Sequence, residues 1–161
     1  MKKVLIVEDE ILARLGLRQL VDWRKLELEL LPDATDGEEA LEMIRNSCPD
    51  IILLDLNIPK VSGLEILEFL KKEEMPTKVI VVSCQEEFDV VKKAMKLGAY
   101  DYLRKLNLSS DELENILEKC LVETEERITV HMQGIREIRY EEIVRDSRDI
   151  LAGACNYQTL I

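Results

Sequence analysis

Five times along this chain a short apolar run is followed by a stretch whose apolar residues return at helical spacing, and few architectures accept that alternation. The run VLIV at Val4 to Val7 comes first and ends in Glu8, Asp9 and Glu10. ILARLGLRQLVDW then puts Ile11, Leu15 and Val21 at helical spacing, predicting a helix from about Glu10 to Trp23. LELELLPDAT alternates, with Leu28 and Leu30 on one face, and Pro32 assigns it to a sheet edge. Asp36 and Gly37 turn the chain into the helix GEEALEMIRNS, which Pro49 stops. The central run, Ile51 to Asp55, follows.

Pro59 and Gly63 then bracket a loop, and LEILEFLKKEE reads as a helix carrying Leu64, Leu67 and Leu70 inward until Pro76. KVIVVS, Lys78 to Ser83, is another doubly buried strand. A helix from Glu86 to Leu97 ends at Gly98, AYDYLRK forms the fifth strand, and Ser109 or Ser110 caps DELENILEKCL. Strands alternating with helices call for a parallel sheet covered on both faces, with ligands bound beyond the carboxyl ends of its strands.

Those strand ends carry the chemistry. They deliver Glu8 and Asp9 after the first strand, Asp55 after the third, Ser83 after the fourth and Lys105 after the fifth. Clustered carboxylates repel one another and call for a hard cation with oxygen ligands, such as Mg2+. Were Asp55 to attack a phosphoryl group, the metal and Lys105 would neutralise the transferring oxygens while Ser83 donated a hydrogen bond. The product would be an aspartyl phosphate. The plainer reading of Asp55, as a helix cap or loop acid, leaves the other strand ends without a purpose.

Charge and composition exclude other classes. With 33 acidic against 22 basic residues and a net charge of -11, the chain opposes the attraction on which nucleic-acid binding relies. The opening MKKVLIVEDE meets acids too soon for a signal peptide, and no run is long enough for a membrane span. Cys48, Cys84, Cys120 and Cys155 include no CxxC pair, which argues against a zinc site or a disulfide framework and favours a reduced, cytoplasmic setting.

VLIVEDE, IILLDLNIPKVSGLEIL, VIVVSCQ and GAYDYLRK, in this order and spacing, closely resemble the receiver domain of two-component response regulators. The resemblance covers residues 1–122. It implies a flavodoxin-like (βα)5 doubly wound parallel sheet, strand order 2-1-3-4-5, that serves as a phosphoacceptor module rather than an enzyme. By position it implies Asp55 as phosphoacceptor, Asp9 as direct Mg2+ ligand with Glu8 helping through water, and the Asn57 backbone carbonyl as a further ligand. Ser83 corresponds to the switch hydroxyl, Tyr102 to the aromatic switch and Lys105 to the phosphate-binding lysine. Asn57 and Gln85 lie where the family tunes dephosphorylation. The implied partner is a histidine kinase or phosphotransfer protein.

Three positions depart from the family pattern. Glu8 replaces Asp, Cys84 stands where Ala or Gly is usual, and Leu106 stands where Pro follows the lysine, at a bond associated with a cis peptide. A non-proline cis bond costs about 3 kcal/mol, so a trans bond and a shifted Lys105 loop are expected. Lys92, Lys93 and Lys96 read first as a solvated charge run and, more sharply, as a face pairing with Asp111, Glu112 and Glu114 across a two-fold dimer.

Residues 123–161 continue as ETEERITVHMQGIREIRYEEIVRDSRDIL, with Ile128, Met132, Ile135 and Ile138 at near-heptad spacing. A helical linker that pairs with a second copy, or the start of a truncated output region, is expected. The DW after the first helix and EEFDVVKKAMKLGAYDYL more weakly resemble regulators with an AraC-type DNA-binding domain, so DNA contact is expected only through an output domain outside this segment. Two rivals differ in class. An aspartate-nucleophile phosphatase needs an acid where Asn57 stands, and a receiver-like interaction module would never be phosphorylated. A flavodoxin-like cofactor domain is disfavoured by the acids after the first strand.

Overall fold

A computed structural model describes residues 1–84 and 87–137, the segment 124–137 by its backbone alone. Five strands alternate with five helices: β1 Lys2–Val7, α1 Ile11–Leu20, β2 Leu28–Leu30, α2 Gly37–Ser47, β3 Ile51–Leu54, α3 Gly63–Lys72, β4 Lys78–Ser83, α4 Phe88–Lys96, β5 Asp101–Arg104 and α5 Ser110–Glu137. The strands pair in parallel in the order β2-β1-β3-β4-β5, the flavodoxin-like arrangement.

Side chains along a strand alternate between faces, so the apolar runs feed two cores. Leu5, Val7, Ile52, Leu54, Val79 and Val81 pack on one side against Ala40 and Ile44 of α2, Ile66 and Leu67 of α3 and Ala94 of α4. Val4, Ile6, Leu53, Ile80 and Val82 pack on the other against Leu17 of α1 and Leu113, Leu117 and Cys120 of α5. Each fully buried Leu or Ile contributes roughly 1.5–3 kcal/mol, so the sheet centre carries much of the stabilising burial. The edges are weaker: β2 has three residues and β5 is half-buried.

Helix starts follow their caps. Asp36 accepts from the Glu39 N–H at 2.8 Å, Ser62 and Glu65 form a reciprocal capping box, and the Ser109 hydroxyl accepts from Glu112 N–H at 3.1 Å. Gly98, at φ 99, takes the left-handed conformation that closes α4. In α3, Ile66 is fully buried beside Leu67 and Leu70, and Leu64 is only partly so.

Two helices depart from expectation. α1 stops at Leu20, before the predicted Trp23, because the Trp23 indole N–H folds back onto the Arg18 carbonyl at 3.0 Å and Asp22 opens a turn to Lys25. Its buried residue is Leu17, whereas Ile11 and Leu15, two of the residues at helical spacing, are exposed. α4 begins at Phe88 rather than Glu86, which lies outside the described residues, as does Gln85.

α5 runs on as one helix to Glu137. The side chains of Ile128, Met132 and Ile135, and everything from Ile138 onward, lie outside the described residues. Cys84 is exposed and Cys120 buried, and neither is in a disulfide. None of the described helices is long and apolar enough to cross a membrane.

Candidate functional site

Strand register brings the polar ends together. Val7 pairs with Leu54 and Leu54 with Val81, so the next residues, Glu8 and Asp55, emerge side by side at the carboxyl edge. The Asp55 N–H donates to the Val7 carbonyl at 3.0 Å, extending the ladder one step. Ser83 pairs with Arg104, which delivers Lys105 from the neighbouring strand. The four side chains come from four strands.

Asp55 is 5% exposed. Its Oδ1 accepts from the Ser83 hydroxyl and from the Asn57 N–H, each at 3.1 Å, and its Oδ2 accepts from the Lys105 ammonium at 3.1 Å. Burying a carboxylate is costly unless it is paired and hydrogen-bonded, and here both oxygens are engaged. The same ammonium lies 2.6 Å from Glu8 Oε2 and 3.7 Å from Glu10 Oε1. Glu8 is 1% exposed and its Oε1 accepts from the Glu10 N–H at 3.1 Å.

The electrostatics follow from this crowding. Burial, reinforced by the neighbouring Asp55 charge, pushes the Glu8 carboxyl above the usual glutamate range despite the hydrogen bonds from Lys105 and Glu10. Burial works against the Lys105 charge, but the bonds to Glu8 and Asp55 outweigh it and hold the ammonium above the usual lysine value.

The Lys105–Leu106 peptide is trans, like every other peptide among the described residues. Across this trans bond the long Lys105 side chain reaches both carboxylates. Asp9 is exposed, with its carbonyl and that of Glu8 accepting from the Arg14 guanidinium at 3.1 Å. Tyr102, opposite Val81 in the ladder, is half-buried against the core patch that holds Val81 and Ala99.

Carboxylate oxygens of Glu8, Asp9 and Glu10 lie within 4.8 Å of one another. Glu8 and Glu10 of this group share the Lys105 ammonium with Asp55, an all-oxygen donor set with excess negative charge that fits a hard divalent cation. Glu8 Oε2 adds to the fit: it is buried, and among the described residues only the Lys105 ammonium meets it.

Several supporting residues were not singled out from the sequence. Glu10 belongs to the acid run but its reach to Lys105 depends on the fold. In the sequence Gly63 reads only as a loop bracket, yet a Cβ there would sit 2.6 Å from Leu56 Cα and 2.9 Å from the Asp55 carbonyl. Only glycine lets α3 start so close to the backbone that carries Asp55. Lys105 also lines a cavity of about 200 Å³ together with Ala13, Gly16 and Leu17 of α1.

Comparison with known proteins agrees with this geometry. Residues 4–118 match the family described as the response regulator receiver domain. An uncharacterized response regulatory protein of Staphylococcus epidermidis is 33% identical over 118 residues, which are 73% of this chain and 46% of that protein. The uncharacterized transcriptional regulatory protein YesN of Bacillus subtilis is 30% identical over 141 residues, 88% of this chain and 38% of that one. The chain thus spans less than half the length of these two relatives. Among solved structures, the REC domain of AraT, a response regulator from Geobacillus stearothermophilus, superposes with a TM-score of 0.72 at 31% identity, covering 78% of this chain and 97% of that one.

Proposed function

The chain belongs to the response-regulator receiver domain family, and from that premise we propose that Asp55 is the phosphoacceptor of a signalling switch. The observation that carries the reading is the buried Asp55 carboxylate at the end of β3, held by Ser83, the Asn57 N–H and Lys105, each at 3.1 Å. The proximity of Lys105 despite Leu106 favours it over a receiver-like module that is never phosphorylated.

In the proposed step, an Asp55 oxygen attacks the phosphorus of a phosphohistidine on a histidine kinase or phosphotransfer protein. The new P–O bond forms as the P–N bond breaks, and the imidazole leaves with the electron pair. Lys105 meets the charge on one phosphoryl oxygen and the Ser83 hydroxyl donates to another. Glu8, Asp9, Asp55 and the Asn57 carbonyl would hold Mg2+, which when bound neutralises phosphoryl charge. The exposed Ile11, Leu12 and Leu15 on α1 suit contact with the donor protein. The chain is then a phosphoacceptor, with at most slow self-phosphorylation and self-dephosphorylation.

The switch follows from the same contacts. As Ser83 turns to the phosphoryl group it leaves Asp55 Oδ1, and Tyr102 moves inward, shifting a pre-existing equilibrium of the face formed by α4, β5 and α5. Residues 1–122 form the switch, and residues 123–161 lead as a helical linker toward an output domain outside this segment. That output is a transcription domain, of AraC type on the weaker resemblance, through which alone DNA is bound. Two copies associate through the α4, β5 and α5 face or the C-terminal helix, and the protein acts in the cytoplasm. Titration with Mg2+ and beryllofluoride, read by native mass and tyrosine fluorescence, tests the reading. One adduct with a fluorescence change that Tyr102→Ala removes is the expected result. Failure of the protein to take up the mimic would favour the unphosphorylated module.

A further inference from the structure

Helix α1 starts without the aid that α2, α3 and α5 receive from capping side chains. Glu10, the residue before it, supplies no side-chain cap among the described residues, and its carboxylate lies instead 3.7 Å from the Lys105 ammonium. Arg14 closes the turn from one helical turn further on. Its Nη1 carries two hydrogens and donates to the carbonyls of Glu8 and Asp9, each at 3.1 Å. Those carbonyls belong to the peptide planes on either side of the Asp9 Cα, so holding both fixes the two soft dihedrals of Asp9 and the direction in which its carboxylate leaves the chain. Asp9 is exposed, which leaves packing little part in aiming it.

The guanidinium is itself held from behind. Arg14 Nε lies 3.8 Å from Asp33 Oδ2, and Arg18 Nε donates to both oxygens of the same carboxylate, at 2.9 and 3.1 Å, while its Nη2 donates to the Leu31 carbonyl at 2.8 Å. Asp33 follows β2, yet its partners are these two arginines rather than the acidic site. The Arg14 and Asp33 side chains are only 17% and 15% exposed, so the pair keeps a defined geometry where a solvated surface pair would not.

We propose that Arg14 is a positioning residue for the acidic site: held by Asp33 and holding the Glu8 and Asp9 carbonyls, it sets the Asp9 carboxylate beside those of Glu8 and Glu10 to receive a divalent cation. The inference rests on the reading of this site as a Mg2+ site. Lysine would keep the charge but lacks the planar fork that meets two carbonyls with one nitrogen and Asp33 with another. The sign of the effect separates position from charge. A cation near the acids repels a metal, so loss of Arg14 as a charge alone tightens Mg2+ binding, whereas its loss as a brace weakens it.

Isothermal titration of the full chain with Mg2+ alone, in parent, Arg14→Gln, Arg14→Lys and Arg18→Gln, tests the proposal, with amide exchange of residues 8–10 followed in the same proteins without metal. Loss of charge-assisted bonds of this kind predicts that Arg14→Gln and Arg14→Lys each weaken Mg2+ binding roughly tenfold and speed exchange in that loop. Arg14→Lys keeps the test open should Arg14→Gln fail to fold. Arg18→Gln loses bonds to Asp33 and Leu31 but none to the acidic loop, so it lowers the Tm and leaves Mg2+ affinity within about twofold. Unchanged or tighter Mg2+ binding in the Arg14 variants would overturn the proposal while leaving the metal site intact. Equal weakening by Arg18→Gln would reduce Arg14 to general stability and overturn it as well. Absence of Mg2+ binding by the folded parent would overturn the metal reading itself and this inference with it.

Discussion

Asp55 shows how much one residue owes to its neighbours. The carboxylate is nearly as buried as the leucines before it, and what makes that tolerable is a partner on each oxygen. The backbone beneath it depends on Gly63, where a Cβ would press on Leu56 Cα at 2.6 Å. We expect Gly63→Ala to lower stability by about 1–3 kcal/mol, the usual cost of overpacking, and to slow phosphoryl uptake because Asp55 moves with the strained loop. Urea unfolding and a phosphorylation time course check the two effects separately. Thiol reactivity gives a second residue-scale prediction. Burial pushes the Cys120 thiol up to about 12, whereas Cys84 is exposed. Alkylation of the native protein at pH 8, mapped by peptide mass, should therefore modify Cys84 and spare Cys120 until the fold is melted. Equal labelling of the two would show that the α5 packing is looser than described.

The elements differ in how openly the sequence declares them. Strands β1, β3 and β4 are apolar runs between polar punctuation, and their limits agree closely with expectation because burial on both faces leaves no competing reading. Helix α1 was less legible. Ile11, Leu12, Leu15 and Leu17 lie so widely around the helix that periodicity alone does not choose the inward face, and only Leu17 among them is buried. At the site, the residue types were legible from the strand ends, but the approach of Lys105 to Glu8 was not. It depends on two long side chains meeting across residues almost a hundred positions apart in sequence.

Helix α2 carries a testable charge effect. The Glu39 N–H and the Lys60 ammonium hold the Asp36 carboxyl below its ordinary value of 3.8. A carboxyl lowered in the folded state stabilises above its unfolded value and loses that contribution as pH falls through the folded one. The parent should accordingly lose stability more steeply below about pH 4 than Asp36→Asn, which keeps a capping oxygen without the charge. Melting temperatures measured from pH 6 to pH 3 would show the difference, and parallel curves would contradict it.

At the scale of the whole molecule, the alternation of elements dictated a parallel sheet with two covers, while the strand order came from the family resemblance, since the alternation itself does not fix which strands are neighbours. That order is what gathers Glu8, Asp55, Ser83 and Lys105 at one edge. It also puts α5 on the same face of the sheet as α1, and α5 continues unbroken beyond the matched receiver residues to Glu137. A change at the site thus has a continuous helix along which to reach whatever follows.

The most direct test of the central claim is to locate the phosphoryl group. The protein is incubated with Mg2+ and a small-molecule phosphodonor such as acetyl phosphate, the acyl phosphate is trapped by borohydride reduction, and peptides are mapped by mass spectrometry. We predict a single modified residue, Asp55, with no modification anywhere in a folded Asp55→Asn variant. Label on another residue, or label undiminished in that variant, would contradict the assignment of Asp55 as phosphoacceptor.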